Sequence, residues 1–188
     1  MPLTLCDALD KCIDYNCENQ SVSGVQEQTI IYSLSDIGFT FNPTDPTQIT
    51  AITPSVGKQG YLFSGTSKSF SYESTGEFND FGTSQYTHKF NGQIISVDND
   101  TTDIVRRLAN STMVAVTFGR NGVINVWGVK SGMRTNPSVS SMDKNATWTV
   151  EMSSLDPQFE VFPAYTYIGG GGTFVAERDL LIGSITCP

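Results

Sequence analysis

The stretch Met113 to Gly128, MVAVTFGRNGVINVWG, constrains the fold more than any other part of the chain. Val114, Val116 and Phe118 share one face of a first strand, and Ile124 and Val126 share one face of a second. Between them Arg120-Asn121-Gly122 offers the positive φ angles of a tight turn, so a β-hairpin is expected. Immediately upstream, Thr101 to Ala109 reads as the one convincing helix. Thr101 or Thr102 can cap it, Asp103 suits its N-terminal dipole, and Arg106 and Arg107 fall towards its C-terminal end. Ile104, Val105, Leu108 and Ala109 give it an apolar stripe. A β-rich chain with one short helix and no cluster of reactive side chains points to a building block, not an enzyme.

The remaining segments extend that picture. Leu3 to Tyr15 reads as a short helix that needs something to dock on, and Val25 to Leu34 as a first strand. Ser35 to Pro54, with Pro43, Asp45 and Pro46, reads as a long excursion that regains order around Ile49 to Ile52. Gly57 to Ser74 and Ser84 to Val97 read as two long strands flanking a loop, Thr75 to Thr83, that holds Glu77 and Asp80. Phe70 and Tyr72, then Tyr86, His88 and Phe90, alternate with polar partners, so one face is expected to be packed and the other wet. So long and polar an edge is a pairing template that closure into a barrel would resolve. Lys130 to Ala146 reads as a connection, and Thr147 to Ser153 as a strand carrying Trp148, Val150 and Met152. Gly169 to Gly172 reads as a flexible joint, and Phe174 to Cys187 as a final strand or arm.

The 188 residues suit one domain with arms, 1–21 and 173–188, whose removal is expected to leave a folded subunit. Only 38% of them are hydrophobic, which implies a thin core. A formal charge of −8 argues against gripping nucleic-acid phosphates, though not against letting a nucleic acid slide past. The start MPLTLCDALDKC has neither the basic residues nor the apolar run of a secretory signal, and no segment approaches the ~20 apolar residues of a membrane span. Free thiols in a reducing cytoplasm are therefore expected for Cys6, Cys12, Cys17 and Cys187, although a bridge between the two ends stays open.

Candidate chemistry is thin, and no cofactor or metal is expected. The cysteine spacing matches no zinc pattern. Asp98-Asn-Asp100-Thr-Thr-Asp103 clusters carboxylates but lacks the glycine and closing glutamate of a calcium loop, and a turn leading into a helix cap is favoured. His88 has no nucleophile or orienting acid beside it in sequence, so a half-exposed strand histidine is expected. The four glycines 169–172 lack the lysine and the strand-before, helix-after setting of a phosphate loop. Trp127 and Trp148 would serve a sugar-binding face, yet buried hairpin aromatics are the commoner explanation.

A run of short motifs, in order along most of the chain, carries a resemblance. They are LTLCDALDKC with Cys17-Glu-Asn, Gly24-Val25, Ser35-Asp36-Ile37, and Gln48-Ile-Thr-Ala-Ile-Thr53 leading to Gly57-Lys58. Tyr61, Phe63, Lys68 and Phe70 follow, then Tyr86, His88 and Phe90, the helix Ile104 to Ala109, Val114-Ala-Val116, Asn121-Gly122, Val126-Trp127-Gly128 and Gly132-Met133. In these the chain resembles the major tail tube proteins of tailed bacteriophages, of the Bacteroidetes-type phage family. The segment beyond Pro163 departs from the shorter family pattern.

The resemblance implies a β-sandwich or split-barrel subunit with one flanking helix, completing a closed β-barrel on ring assembly. It implies hexameric rings stacked into the hollow tube of a virion tail, built in the host cytoplasm. Partners would be further copies, the tape-measure, terminator and tail-tip proteins, and DNA in transit, with no membrane. Residues 35–54 would then make an inter-ring loop, and Glu73, Glu77 and Asp80 are the candidates for the lumen or channel mouth. The competing expectation is a monomeric, virion-displayed β-sandwich that binds a glycan or receptor.

Overall fold

A computed structural model describes residues 25–65, 69–78, 84–94, 106, 108–135, 141–142, 148–154 and 159–185. The architecture is mainly β. In chain order the strands are β1 (Val25–Ser33), β2 (Ile37–Phe41), β3 (Gln48–Pro54), β4 (Tyr61–Ser64), β5 (Phe70–Phe78), β6 (Ser84–Ile94), β7 (Met113–Gly119), β8 (Ile124–Trp127), β9 (Met133–Thr135), β10 (Ser141–Met142), β11 (Trp148–Ser154) and β12 (Tyr165–Tyr167). Among the described residues they form one large mixed sheet that does not close, and the helix α1 (Phe174–Gly183) follows β12. No helix among the described residues is long and apolar enough to cross a membrane.

The hairpin read from sequence is β7–β8. Val116 pairs with Val126 and Phe118 with Ile124, and the Gly119 N–H closes the turn on the Val123 carbonyl at 2.8 Å. Every residue from Met113 to Phe118 is buried, because β7 lies where the sheet forks. One edge bonds β1 as far as the Ser33–Met113 pair, and the other bonds β8 from Phe118 to Ala115 and then β9 at Met113. From that fork one wing runs through β8 and β12 to β3 and β2, and the other through β9 and β11 to β6 and β5, while β1 and then β4 extend the opposite edge of β7.

Period-two alternation then dictates two cores. Met113 and Ala115 join Ile31, Phe63, Phe90, Val150 and Met152 in one apolar cluster, so the β9–β11–β6–β5 wing folds over the face of β1 and β7. Tyr72 of β5 reaches across this gap: its hydroxyl meets Thr29 Oγ1 of β1 at 2.8 Å, and its ring stacks on Trp127 of β8. Burial raises the Tyr72 phenol well above its ordinary pKa, so the hydroxyl in this contact stays protonated. Val114, Val116 and Phe118 point the other way, into a second cluster with Ile30, Tyr32, Ile49 and Val126. Helix α1 caps that cluster through buried Leu181, with Phe174, Ile182 and Ile185 packed beside it. Trp127 is thus a half-buried hairpin aromatic packed against the first cluster, its Nε1–H donating to Thr117 Oγ1 at 3.0 Å.

Three sequence expectations need correction. Ser35 to Pro54 is no open loop: after a 3-10 turn, Leu34–Asp36, it is the antiparallel hairpin β2–β3. Pro43, Asp45 and Pro46 mark only the connection between those strands, where Asn42 Oδ1 accepts from Thr44 N and Asp45 Oδ1 accepts from the Thr47 amide and hydroxyl. Those hydrogen bonds from Thr47 hold the Asp45 carboxyl below its usual range.

The described part of the segment Phe174 to Cys187 is not a strand either. Residues Phe174–Gly183 are helical, capped by the Thr173 hydroxyl on the Ala176 N–H, and Leu181 belongs to the core. Glycines 169–172, read as a flexible joint, instead wrap a carboxylate. Gly170 and Gly172 donate their N–H groups to Glu177 Oε1 at 3.1 and 3.0 Å, in the first turn of α1. Of the helix expected over Thr101 to Ala109, Arg106 and Leu108 are helical and Leu108 is buried in the first cluster, while most of the remainder lies outside the described residues. The expected helix Leu3 to Tyr15, the acidic run 98–103, Asp80 and all four cysteines also lie outside them.

The loop around Glu177 yields a first prediction. Gly169 has φ +56°, and a Cβ there would collide with the Glu177 carboxylate, whereas a Cβ at Gly183 meets open space. Gly169→Ala is therefore expected to cost about 1–3 kcal/mol in chemical denaturation, and Gly183→Ala, a helical site, to be neutral or slightly stabilising. Equal effects would show that the loop has room for a methyl group.

Candidate functional site

The outer face of the β5–β6–β11 wing is the surface that most needs an explanation. Phe70, Tyr72, Phe90, Val150 and Met152 of these strands turn inward to the first apolar cluster. Their neighbours must turn outward, and every one is polar. On β5 they are Ser71, Glu73, Thr75 and Glu77; on β6, Gln85, Thr87, Lys89 and Asn91; on β11, Thr149, Glu151 and Ser153. The register joins them into one surface, with Glu73 opposite Lys89, Thr75 opposite Thr87, Glu77 opposite Gln85 and Glu151 opposite Asn91. Arg134 of β9 continues it opposite Ser153. The charged groups are thus Glu73, Glu77 and Glu151 against Lys89 and Arg134, a mildly acidic, hydrogen-bonding surface with no apolar side chain.

Of the three lumen candidates read from sequence, the structure places Glu73 and Glu77 on this face, both exposed; Glu73 lies in a strand as expected, whereas Glu77, expected in a loop, is also on strand β5. Glu151 belongs with them and was missed. Its signal was the alternation Trp148, Val150, Met152, which sends residue 151 to the opposite face.

Two further features mark this wing. Strand β5 pairs only with β6 among the described residues, which leaves a nine-residue edge open. Beyond Tyr72 its hairpin with β6 overhangs the sandwich, and Phe78 near its end is 80% exposed. An open edge with an uncovered aromatic is a template for another strand.

Beneath the face lies a buried polar clamp. His88 is wholly buried, which corrects the half-exposed expectation. Its Nδ1 accepts from the Gly128 N–H at 3.0 Å, so Nε2 carries the proton and donates to the Phe162 carbonyl at 3.0 Å. Glu160, 1% exposed, accepts from the amides of Lys130 and Ser131 and from the Ser131 hydroxyl at 2.9–3.1 Å. A backbone bridge between Tyr86 and Glu160 completes the attachment.

Gly128 makes this possible. It has φ +75°, and a Cβ there would press on the Met113 carbonyl and Met133. The resulting turn presents the amides of Gly128, Lys130 and Ser131 to the buried His88 and Glu160 side chains. With both ring nitrogens engaged by backbone, His88 has no free valence for general-base chemistry. Among the described residues no three His, Cys, Asp or Glu side chains gather as a metal site.

No protein-family model, curated protein or solved structure matches this chain. Function must therefore be argued from the polar face, the open edge and the clamp.

Proposed function

We propose that this chain is a structural subunit of a bacteriophage tail tube, self-assembling into hexameric rings that stack around a channel for DNA. The observation that carries the reading is the joint occurrence of a wholly polar outer face and an open nine-residue edge, β5, at its border. Pairing of that edge with a neighbouring copy would continue the polar face from subunit to subunit and remove the exposed edge. A lumen of such side chains hydrates the passing polymer, and its carboxylates repel phosphate, so that no strong contact must be broken for motion to continue. The sequence resemblance to tail tube proteins supports the same reading. Binding of a glycan through tryptophans draws no support from Trp127, which is packed against Tyr72 and His88.

Size-exclusion chromatography with negative-stain microscopy tests the proposal. Rings or tubes are expected on concentration or on addition of preformed tail tips, and a chain that stays monomeric under both conditions would overturn it. A charge test addresses orientation. Glu73→Lys, Glu77→Lys and Glu151→Lys together are expected to leave tubes intact but slow genome ejection in low salt, with relief on adding salt as screening shortens the field. Normal ejection in low salt would place this face away from the DNA.

A further inference from the structure

We propose that His88 is a proton-operated latch: uptake of a proton at Nδ1 releases the β8–β9 turn and the 159–163 segment from β6. The geometry carries this. In the neutral ring Nδ1 is an acceptor for the Gly128 N–H, and Nε2–H is a donor to the Phe162 carbonyl. A proton on Nδ1 turns that acceptor into a donor facing another donor, so the bond to Gly128 cannot persist. The ring is 0% exposed, and its new charge would have no water to solvate it.

The surroundings set the sign. From the 159–163 segment the Glu160 carboxylate attracts an imidazolium, but it is already engaged by Lys130 and Ser131 and bonds neither His88 nitrogen. Tyr165 of β12, near Glu160, is pushed up to about 12, chiefly by burial, and stays neutral. From β8 comes Trp127, whose ring meets His88 edge-on, and from β5 come Ser74, opposite His88, and neutral Tyr72. From β11 the Ser154 hydroxyl accepts the His88 backbone N–H and leaves the ring untouched. Lys89, Glu73 and Glu151 lie on the far face of the wing. Burial outweighs the pull of Glu160, so the folded histidine resists protonation relative to a free one. The closed latch therefore binds fewer protons than the open one. Its stability is fully present above the ordinary histidine value of about 6.5 and declines as pH falls below it.

The chain has a single histidine, which makes the test unambiguous. Hydrogen–deuterium exchange of the full-length protein, corrected for intrinsic rate, would be followed by mass spectrometry from about pH 7.5 to about pH 5. Peptides spanning 126–132 and 159–163 are expected to lose protection by up to about tenfold per pH unit below about 6.5, the slope of one proton. Peptides within β7 are expected to hold theirs. Exchange of the His88 ring C2 proton, read on the same samples, is expected to report a midpoint below 6.5. In His88→Gln the pH slope should vanish. A midpoint at or above 6.5, or latch peptides whose protection follows β7 at every pH, would overturn the proposal, and both readings come from the unaltered protein.

Discussion

Truncation after Gly172 is expected to abolish cooperative folding. The missing segment contains helix α1, whose Leu181 is 3% exposed and whose Phe174 and Ile182, with Ile185 just beyond, cover the second apolar cluster. Burying one large aliphatic side chain contributes about 1.5–3 kcal/mol, and the partly buried neighbours add to it. The loss is on the order of 4–8 kcal/mol, comparable with the whole stability of a domain, roughly 5–15 kcal/mol. Tyr32 would also lose its cover. Its phenol, pushed up to about 12 mainly by burial, hydrogen-bonds Ser184 just past the helix. Near-ultraviolet circular dichroism during a thermal scan reads the outcome. A sharp transition within about 1 kcal/mol of the full chain would make the helix a detachable arm, and Leu181→Ala, at about 2–5 kcal/mol, checks the same contact within the intact protein.

What was legible in the sequence divides along a physical line. The β7–β8 hairpin was legible because Asn121-Gly122 and the alternation on either side agree, and both signals are local. The two-faced character of β5 and β6 was legible for the same reason and put Glu73 on the polar face, but the strand runs on to Phe78, so Glu77, read as a loop residue, joins that face too. Helix α1 was not. Phe174, Val175, Leu180, Leu181 and Ile182 make short apolar runs that fit a strand as well as a helix, and what decides is the Thr173 cap with the Glu177 contacts to Gly170 and Gly172. Those contacts also explain why a glycine run that looks like a joint is a fixed turn.

The clamp was illegible for a different reason. His88 and Glu160 are far apart in the chain, and the groups they engage are backbone amides and a carbonyl, which leave no trace in side-chain spacing. A search for partners among reactive residues could not find them. The fork at β7 is similarly non-local, since β1 takes one edge and β8 and β9 divide the other in a strand that its own sequence reads as ordinary. The polar face inherits its position from that fork: the β9 bond to β7 at Met113 leads the wing to β5, whose Tyr72 packs on Trp127 and whose other side turns outward.

Removing the acidic half of the clamp should then cost more than any surface change. In Glu160→Ala the amides of Lys130 and Ser131 and the Ser131 hydroxyl lose their acceptor, and Ser131 is itself buried. Unsatisfied buried donors cost about 1–3 kcal/mol each when water cannot reach them, and loss of a buried carboxylate from its partners typically costs about 3–5 kcal/mol in all. A fall of about 3–5 kcal/mol in urea denaturation is expected. Glu160→Gln keeps one oxygen for Ser131 but brings an amide N–H group towards the remaining donors, so about half that loss is expected. The order matters as much as the size. If the carboxylate acts only by filling space, Gln would match the wild type and Ala would show a simple truncation cost. If it acts as the common acceptor of the β8–β9 turn, both variants must fall, Ala further. A change below about 1 kcal/mol in Glu160→Ala would mean that the turn finds other partners, and that β6 holds its place over the core through Phe90 and β11 alone.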